Sequence, residues 1–128
     1  MIRLNAMERA LSILVVDDQA DVLRAMNRLL TSLGYEVQSA VCVQDALELA
    51  RSNPFDLLIS DLGLPDGTGL DLMRQVNLLR PTKGIAVSGR GEPRDVRDCE
   101  DAGFTAHLTK PTDLPRLLAT IQQVAEHQ

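Results

Sequence analysis

Asp56-Leu57-Leu58-Ile59-Ser60-Asp61-Leu62-Gly63-Leu64-Pro65-Asp66-Gly67-Thr68-Gly69 joins a short apolar run to a Pro/Gly-rich turn, and a helical pattern follows. The run reads as a buried strand that delivers Asp61 to its end. That places one carboxylate at the carboxyl edge of a parallel sheet, where open α/β sheets bind their ligands. Other strand ends carry polar groups too. Ile13-Leu14-Val15-Val16 is branched and does not alternate, as in a sheet covered on both faces, and it ends in Asp17-Asp18. A strand over 84–87 ends in Ser88-Gly89, and one over 104–109 ends in Lys110-Pro111. The candidate over 35–41 is more polar, belongs nearer an edge and supplies no such group.

Between the strands, apolar residues recur at helical spacing. Val22, Leu23, Met26, Leu29, Leu30 and Leu33 precede a stop at Gly34. Ala46, Leu47 and Ala50 precede Asn53-Pro54, and Leu70, Leu72, Met73, Val76 and Leu79 precede Pro81. Leu114, Leu117, Leu118, Ile121 and Val124 outline the last helix. The helix over 93–102 is heavily charged, with only Val96, Cys99 and Ala102 as an inward stripe, so it is expected to be the least stable element. From Asp17 to Lys110 four strand–helix units take about 23 residues each, the size of a right-handed repeat. The expected fold is α/β: a flavodoxin-like (βα)5 three-layer sandwich whose five-stranded parallel sheet has the order 2-1-3-4-5. In that order strands 1, 3, 4 and 5 are neighbours, and their ends supply every polar candidate. Residues 1–11 read as a lead-in segment and 12–128 as one domain.

The bulk numbers narrow the function classes. A chain of 128 residues, 45% hydrophobic and 24% charged, suits one domain that closes its own core. A net charge of -5 argues against nucleic acid or an anionic membrane as a direct partner. Aromatic residues make up 2% with no Trp, which leaves no stacking platform for a flavin or a single strand. Cys42 and Cys99 lack metal-ligand spacing and read as small hydrophobes in a reducing compartment. No apolar run is long enough for a signal peptide or a membrane span, so a cytoplasmic location is expected.

Three carboxylates at one sheet edge repel one another unless a cation or protons intervene. Hard oxygen donors suit magnesium, with Asp18 as direct ligand and Asp17 as its partner. An Asp there can also simply cap the following helix. Asp61 is a competent nucleophile toward phosphorus, or a turn or cap residue, as Asp66 in the same loop is expected to be. Ser88 can hydrogen-bond a phosphoryl oxygen or merely open a Ser-Gly turn. Lys110 can neutralise phosphate or stand solvated before a helix. Together these residues place nucleophile, metal, hydroxyl and cation around one point, as phosphoryl transfer requires.

This ordered set resembles the response-regulator receiver domain, the phosphoacceptor module of two-component signalling, over about residues 11–126. The matching features are Asp17-Asp18, then Asp61 with Pro65 and Gly69 behind it, then Ser88, then Lys110-Pro111. The resemblance implies that Asp61 is phosphorylated and that Asp18, Asp61 and the main-chain carbonyl of Gly63 hold Mg2+ with support from Asp17. It implies that Ser88 and Lys110 bind the phosphoryl group and that the Lys110-Pro111 bond is cis. The donor would be a histidine kinase or histidine phosphotransfer protein. The readout surface would be the loop after Ser88, the fourth helix, the fifth strand and the last helix, through which a homodimer would also form. Gly63 and Arg90 would tune the rate at which the phosphate is lost by self-catalysed hydrolysis. Ala102-Gly103-Phe104 and His107-Leu108-Thr109-Lys110-Pro111 with Asp113-Leu114 look most similar to receivers at the carboxyl end of hybrid histidine kinases.

The chain departs from the family at His107, where a Tyr or Phe switch commonly stands. Two readings stay open, a satisfied half-buried histidine and a ring that moves inward when Ser88 engages phosphate, with some pH sensitivity. Two other classes fit less well. Phosphohydrolases of the haloacid dehalogenase type place a second Asp two residues after the nucleophile, and Gly63 stands there. A flavodoxin-like cofactor binder would need amides and hydroxyls where Asp17-Asp18 lies. A receiver fold that only docks partners, without phosphorylation, is the third alternative.

Overall fold

The computed structural model describes residues 10–89 and 93–126, except for the side chains of residues 93–95. The chain alternates β1 (Ser12–Val16), α1 (Ala20–Ser32), β2 (Glu36–Ala40), α2 (Val43–Ser52) and β3 (Leu57–Asp61). It continues through α3 (Gly69–Leu79), β4 (Lys83–Ser88), α4 (Pro93–Ala102), β5 (Ala106–Thr109) and α5 (Leu114–Glu126). The five strands form one parallel sheet in the order β2-β1-β3-β4-β5, as expected from the sequence. The more polar β2 is indeed an edge strand.

Strand periodicity splits the core in two, because successive side chains point to opposite faces. Leu14, Val16, Leu58 and Ala86 pack with Leu47, Leu72, Met73, Val76, Cys99 and Ala102 of α2, α3 and α4. Ile13, Val15, Leu57, Ile59, Ile85 and Leu108 pack with Leu23, Leu30, Leu117, Ile121 and Val124 of α1 and α5. Each fully buried Leu or Ile stabilises the fold by about 1.5–3 kcal/mol relative to exposure. Burial on both faces is why these strands read as apolar runs without alternation.

Element ends differ from the expectation for local reasons. Leu33 and Leu79 continue the helical spacing but are 50% and 42% exposed, because they lie at the last turns beyond the sheet's cover. Gly34, with φ 97°, takes the left-handed conformation that ends α1, and the Tyr35 N–H returns to the Leu30 carbonyl. β5 starts later than expected because the Phe104 N–H turns back to the Cys99 carbonyl and closes α4. β3 extends through Asp61, which pairs in register with Val87. The loop after it contains a small antiparallel ribbon, Gly63–Leu64 against Gly67–Thr68, that the sequence reading did not anticipate.

Candidate functional site

Continuing the alternation past the strand ends decides which side chains meet. Asp17 falls in phase with Ile13 and Val15, Asp61 with Leu57 and Ile59, and Lys110 with Leu108, all on the side of α1 and α5. They do meet. The Lys110 ammonium donates to Asp61 Oδ2 at 3.1 Å and to Asp17 Oδ2 at 3.2 Å. Burial works against the lysine's charge, but the hydrogen bonds to Asp61 and Asp17 and the charges of both carboxylates outweigh it. The ammonium is held above the ordinary lysine value.

Asp18 is exposed beside this pair. One carboxylate oxygen from each of Asp17, Asp18 and Asp61 lies within 4.8 Å of the others. Three carboxylates against one ammonium leave the cluster negative, and an all-oxygen donor set of this kind fits a small divalent cation such as Mg2+. Asp17 is engaged through both of its carboxylate oxygens. Its Oδ2 accepts from Lys110, while its Oδ1 accepts the Gln19 N–H at 2.9 Å, just ahead of α1.

Ser88 and His107 lie in phase with the other face. His107 pairs in register with Ala86, two residues before Ser88, and its Nε2 is 3.0 Å from Ser88 Oγ. The main chain ties the two strand ends together, since the Lys110 N–H donates to the Ser88 carbonyl. The Lys110-Pro111 bond is cis. Gly63 lies in the ribbon two residues after Asp61, and a Cβ there would meet nothing within 4 Å. Arg90 falls outside the described residues. Gly69 is required by packing: a Cβ would strike the Asp61 main-chain oxygen and come within 3.1 Å of Leu62 Cα and Ser60 Oγ. A cleft of about 580 Å³ between α1 and α5 leads to Asp17, Asp61 and Lys110 past Val22, Met26 and Leu114.

Asp66, expected to be a turn or cap residue, caps a helix outside its own loop. Its carboxylate accepts the N–H groups of Val43 and Gln44 at 2.7 and 3.0 Å, and so caps α2 from another loop. Those two hydrogen bonds, Gln44 first, hold its carboxyl below the ordinary value. Thr68 caps α3, accepting the Asp71 N–H at 3.1 Å. A turn or cap role was expected of Asp66, though not which helix it caps, and the Thr68 cap was not identified from the sequence. Thr68 followed by a helical run was a usable signal, whereas nothing local to Asp66 points to α2.

The response regulator receiver domain family matches residues 13–122 of the chain. The transcriptional regulatory protein KdpE of Mycobacterium tuberculosis is 36% identical over 110 residues, 86% of this chain and 49% of KdpE. The response regulator protein PilR of Pseudomonas aeruginosa is 36% identical over 105 residues, 81% of this chain and 24% of PilR. The chain thus spans half or less of these relatives. Among solved structures, a CheY-like response regulator receiver domain protein from Methanospirillum hungatei superposes with a TM-score of 0.85 at 31% identity, covering 90% of this chain and 93% of that one. The chemotaxis protein CheY4 of Vibrio cholerae gives 0.86 at 28% identity, covering 91% and 99%.

Proposed function

The chain belongs to the response regulator receiver domain family, and from that membership we propose that Asp61 accepts a phosphoryl group from a phosphohistidine. The donor is a histidine kinase or a histidine phosphotransfer protein. The observation that carries the reading is the meeting of Asp61, Asp17 and Asp18 with Lys110 at one sheet edge.

A lone pair of the Asp61 carboxylate forms the new O–P bond as the P–N bond to the donor imidazole breaks, and the imidazole keeps that electron pair and takes up a proton. Lys110 already rests on Asp61 Oδ2. Its ammonium follows the charge onto the transferred oxygens, while the Ser88 hydroxyl donates to another of them. Asp18, Asp61 and the Gly63 carbonyl would hold Mg2+, supported by Asp17, and the ion when bound offsets the repulsion between the carboxylates and the phosphoryl oxygens. Gly63, open to solvent on its Cβ side, and Arg90 tune how easily water reaches the acyl phosphate. Hydrolysis of that bond resets the domain, so the chain is a signalling phosphoacceptor rather than an enzyme with an outside substrate.

The readout surface is the loop after Ser88 with α4, β5 and α5, available to a partner or a second copy. Among the described residues no helix is long and apolar enough to cross a membrane. The likeness to hybrid-kinase receivers rests on the residues 102–104, 107–111 and 113–114; the relatives named above are response regulators.

Intact mass after incubation with acetyl phosphate, with and without magnesium, tests the reading against Asp61→Asn. The expected result is a magnesium-dependent gain of one phosphoryl group that the variant lacks. No gain under any condition, or an equal gain in the variant, would favour a module that docks partners without phosphorylation.

A further inference from the structure

We propose that His107 holds the Ser88 hydroxyl away from the phosphoryl position, so that a phosphoryl group on Asp61 must take the hydroxyl hydrogen from the imidazole. The proposal rests on Asp61 as phosphoacceptor and assigns His107 as a positioning residue that acts through Ser88.

The geometry is direct. Ser88 Oγ and His107 Nε2 are 3.0 Å apart, on adjacent strands held in register by the Ala86–His107 and Ser88–Thr109 pairs. Ser88 is only 6% exposed, so water does not readily replace whichever partner the hydroxyl gives up. A serine hydroxyl has one hydrogen and two lone pairs, and a neutral imidazole protonated on Nδ1 presents Nε2 as an acceptor. Phosphoryl oxygens also accept, so the two compete for the same hydrogen. A Phe ring at this position offers no in-plane lone pair and creates no such competition.

The phosphoryl oxygens win because a hydrogen bond to an anionic acceptor is roughly twice as strong as a neutral one. The imidazole nevertheless lowers the affinity of the site for a phosphoryl group by the worth of the bond it loses. By linkage, the capture of Ser88 releases the half-buried ring from β4. The switch is thus an exchange of hydrogen-bond partner at Ser88 that frees the β5 side chain facing the readout surface.

Beryllofluoride with magnesium serves as the phosphoryl probe, titrated by calorimetry onto the wild type, His107→Phe and His107→Ala, and onto each variant in a Ser88→Ala background. Both His107 variants should bind about fivefold more tightly, which is ~1 kcal/mol, and the gain should vanish in the Ser88→Ala background. In the wild type, nitrogen NMR of the His107 ring should show Nε2 as an unprotonated acceptor, and its resonance should move when the probe binds. The NMR reading needs no variant to fold. Unchanged affinity would overturn the proposal, and so would weaker binding, which would show the imidazole donating to Ser88 and aiming its hydrogen at the phosphoryl group. Acetyl phosphate labelling separates the two levels. A labelled wild type with unchanged probe affinities sinks only the His107 role, whereas an unlabelled wild type overturns the phosphoacceptor reading and this proposal together.

Discussion

Lys110 serves as counter-ion to Asp17 and Asp61 at once, which sets it in competition with any metal those carboxylates hold. Removing it leaves two largely buried carboxylates without their partner, a costly state that a divalent cation relieves. Lys110→Ala should therefore bind magnesium several-fold more tightly by calorimetry while labelling with acetyl phosphate at least tenfold more slowly, since the cation that neutralises the transferred oxygens is gone. Weaker magnesium binding would contradict the counter-ion role. At this scale the sequence was most informative where a side chain ends a strand. Asp17, Asp61 and Lys110 could be placed together because each ends an apolar run and the strand order sets those ends near one another. The Ser88–His107 contact was harder to read, since it depends on the Ala86–His107 register between two strands, which neither strand specifies alone.

Elements were legible in type and order but not in how their ends are satisfied. The cap of α2 comes from Asp66, 23 residues beyond Val43, so no local pattern announces it. Asp66→Ala should lower the urea midpoint by freeing the first N–H groups of α2. The sign of its pH dependence follows from a carboxyl held below its ordinary value. The stabilisation is complete above the unfolded carboxylate value, about pH 4, and fades as pH falls through the lower native value. Wild type and variant should therefore converge in acid; a gap that persists there would assign the effect to something other than the charged cap. Thr68→Ala, which removes the local cap of α3, should cost about 1 kcal/mol in the same assay. The two-residue ribbon after Asp61 escaped the reading because Gly63, Leu64, Gly67 and Thr68 are too few to show a period.

For the whole molecule, burial of both sheet faces ties fold to site. Strands apolar on both sides can expose polar groups only at their ends, and in the order β2-β1-β3-β4-β5 the ends of β1, β3, β4 and β5 fall side by side. That logic was available from 128 residues of sequence, because each βα unit announced its strand by composition and its helix by spacing. Convergence alone leaves three carboxylates within 4.8 Å as rival acceptors, and a gain in mass does not say which one carries the phosphoryl group. Borohydride reduction of the acetyl phosphate-treated protein, followed by peptide mass spectrometry, answers that directly, because an aspartyl phosphate is reduced to homoserine while a free carboxylate is untouched. The expected outcome is homoserine at position 61 alone, and only when magnesium is present. Homoserine at position 17 or 18, or at none of the three in a protein that has gained a phosphoryl group, would contradict it.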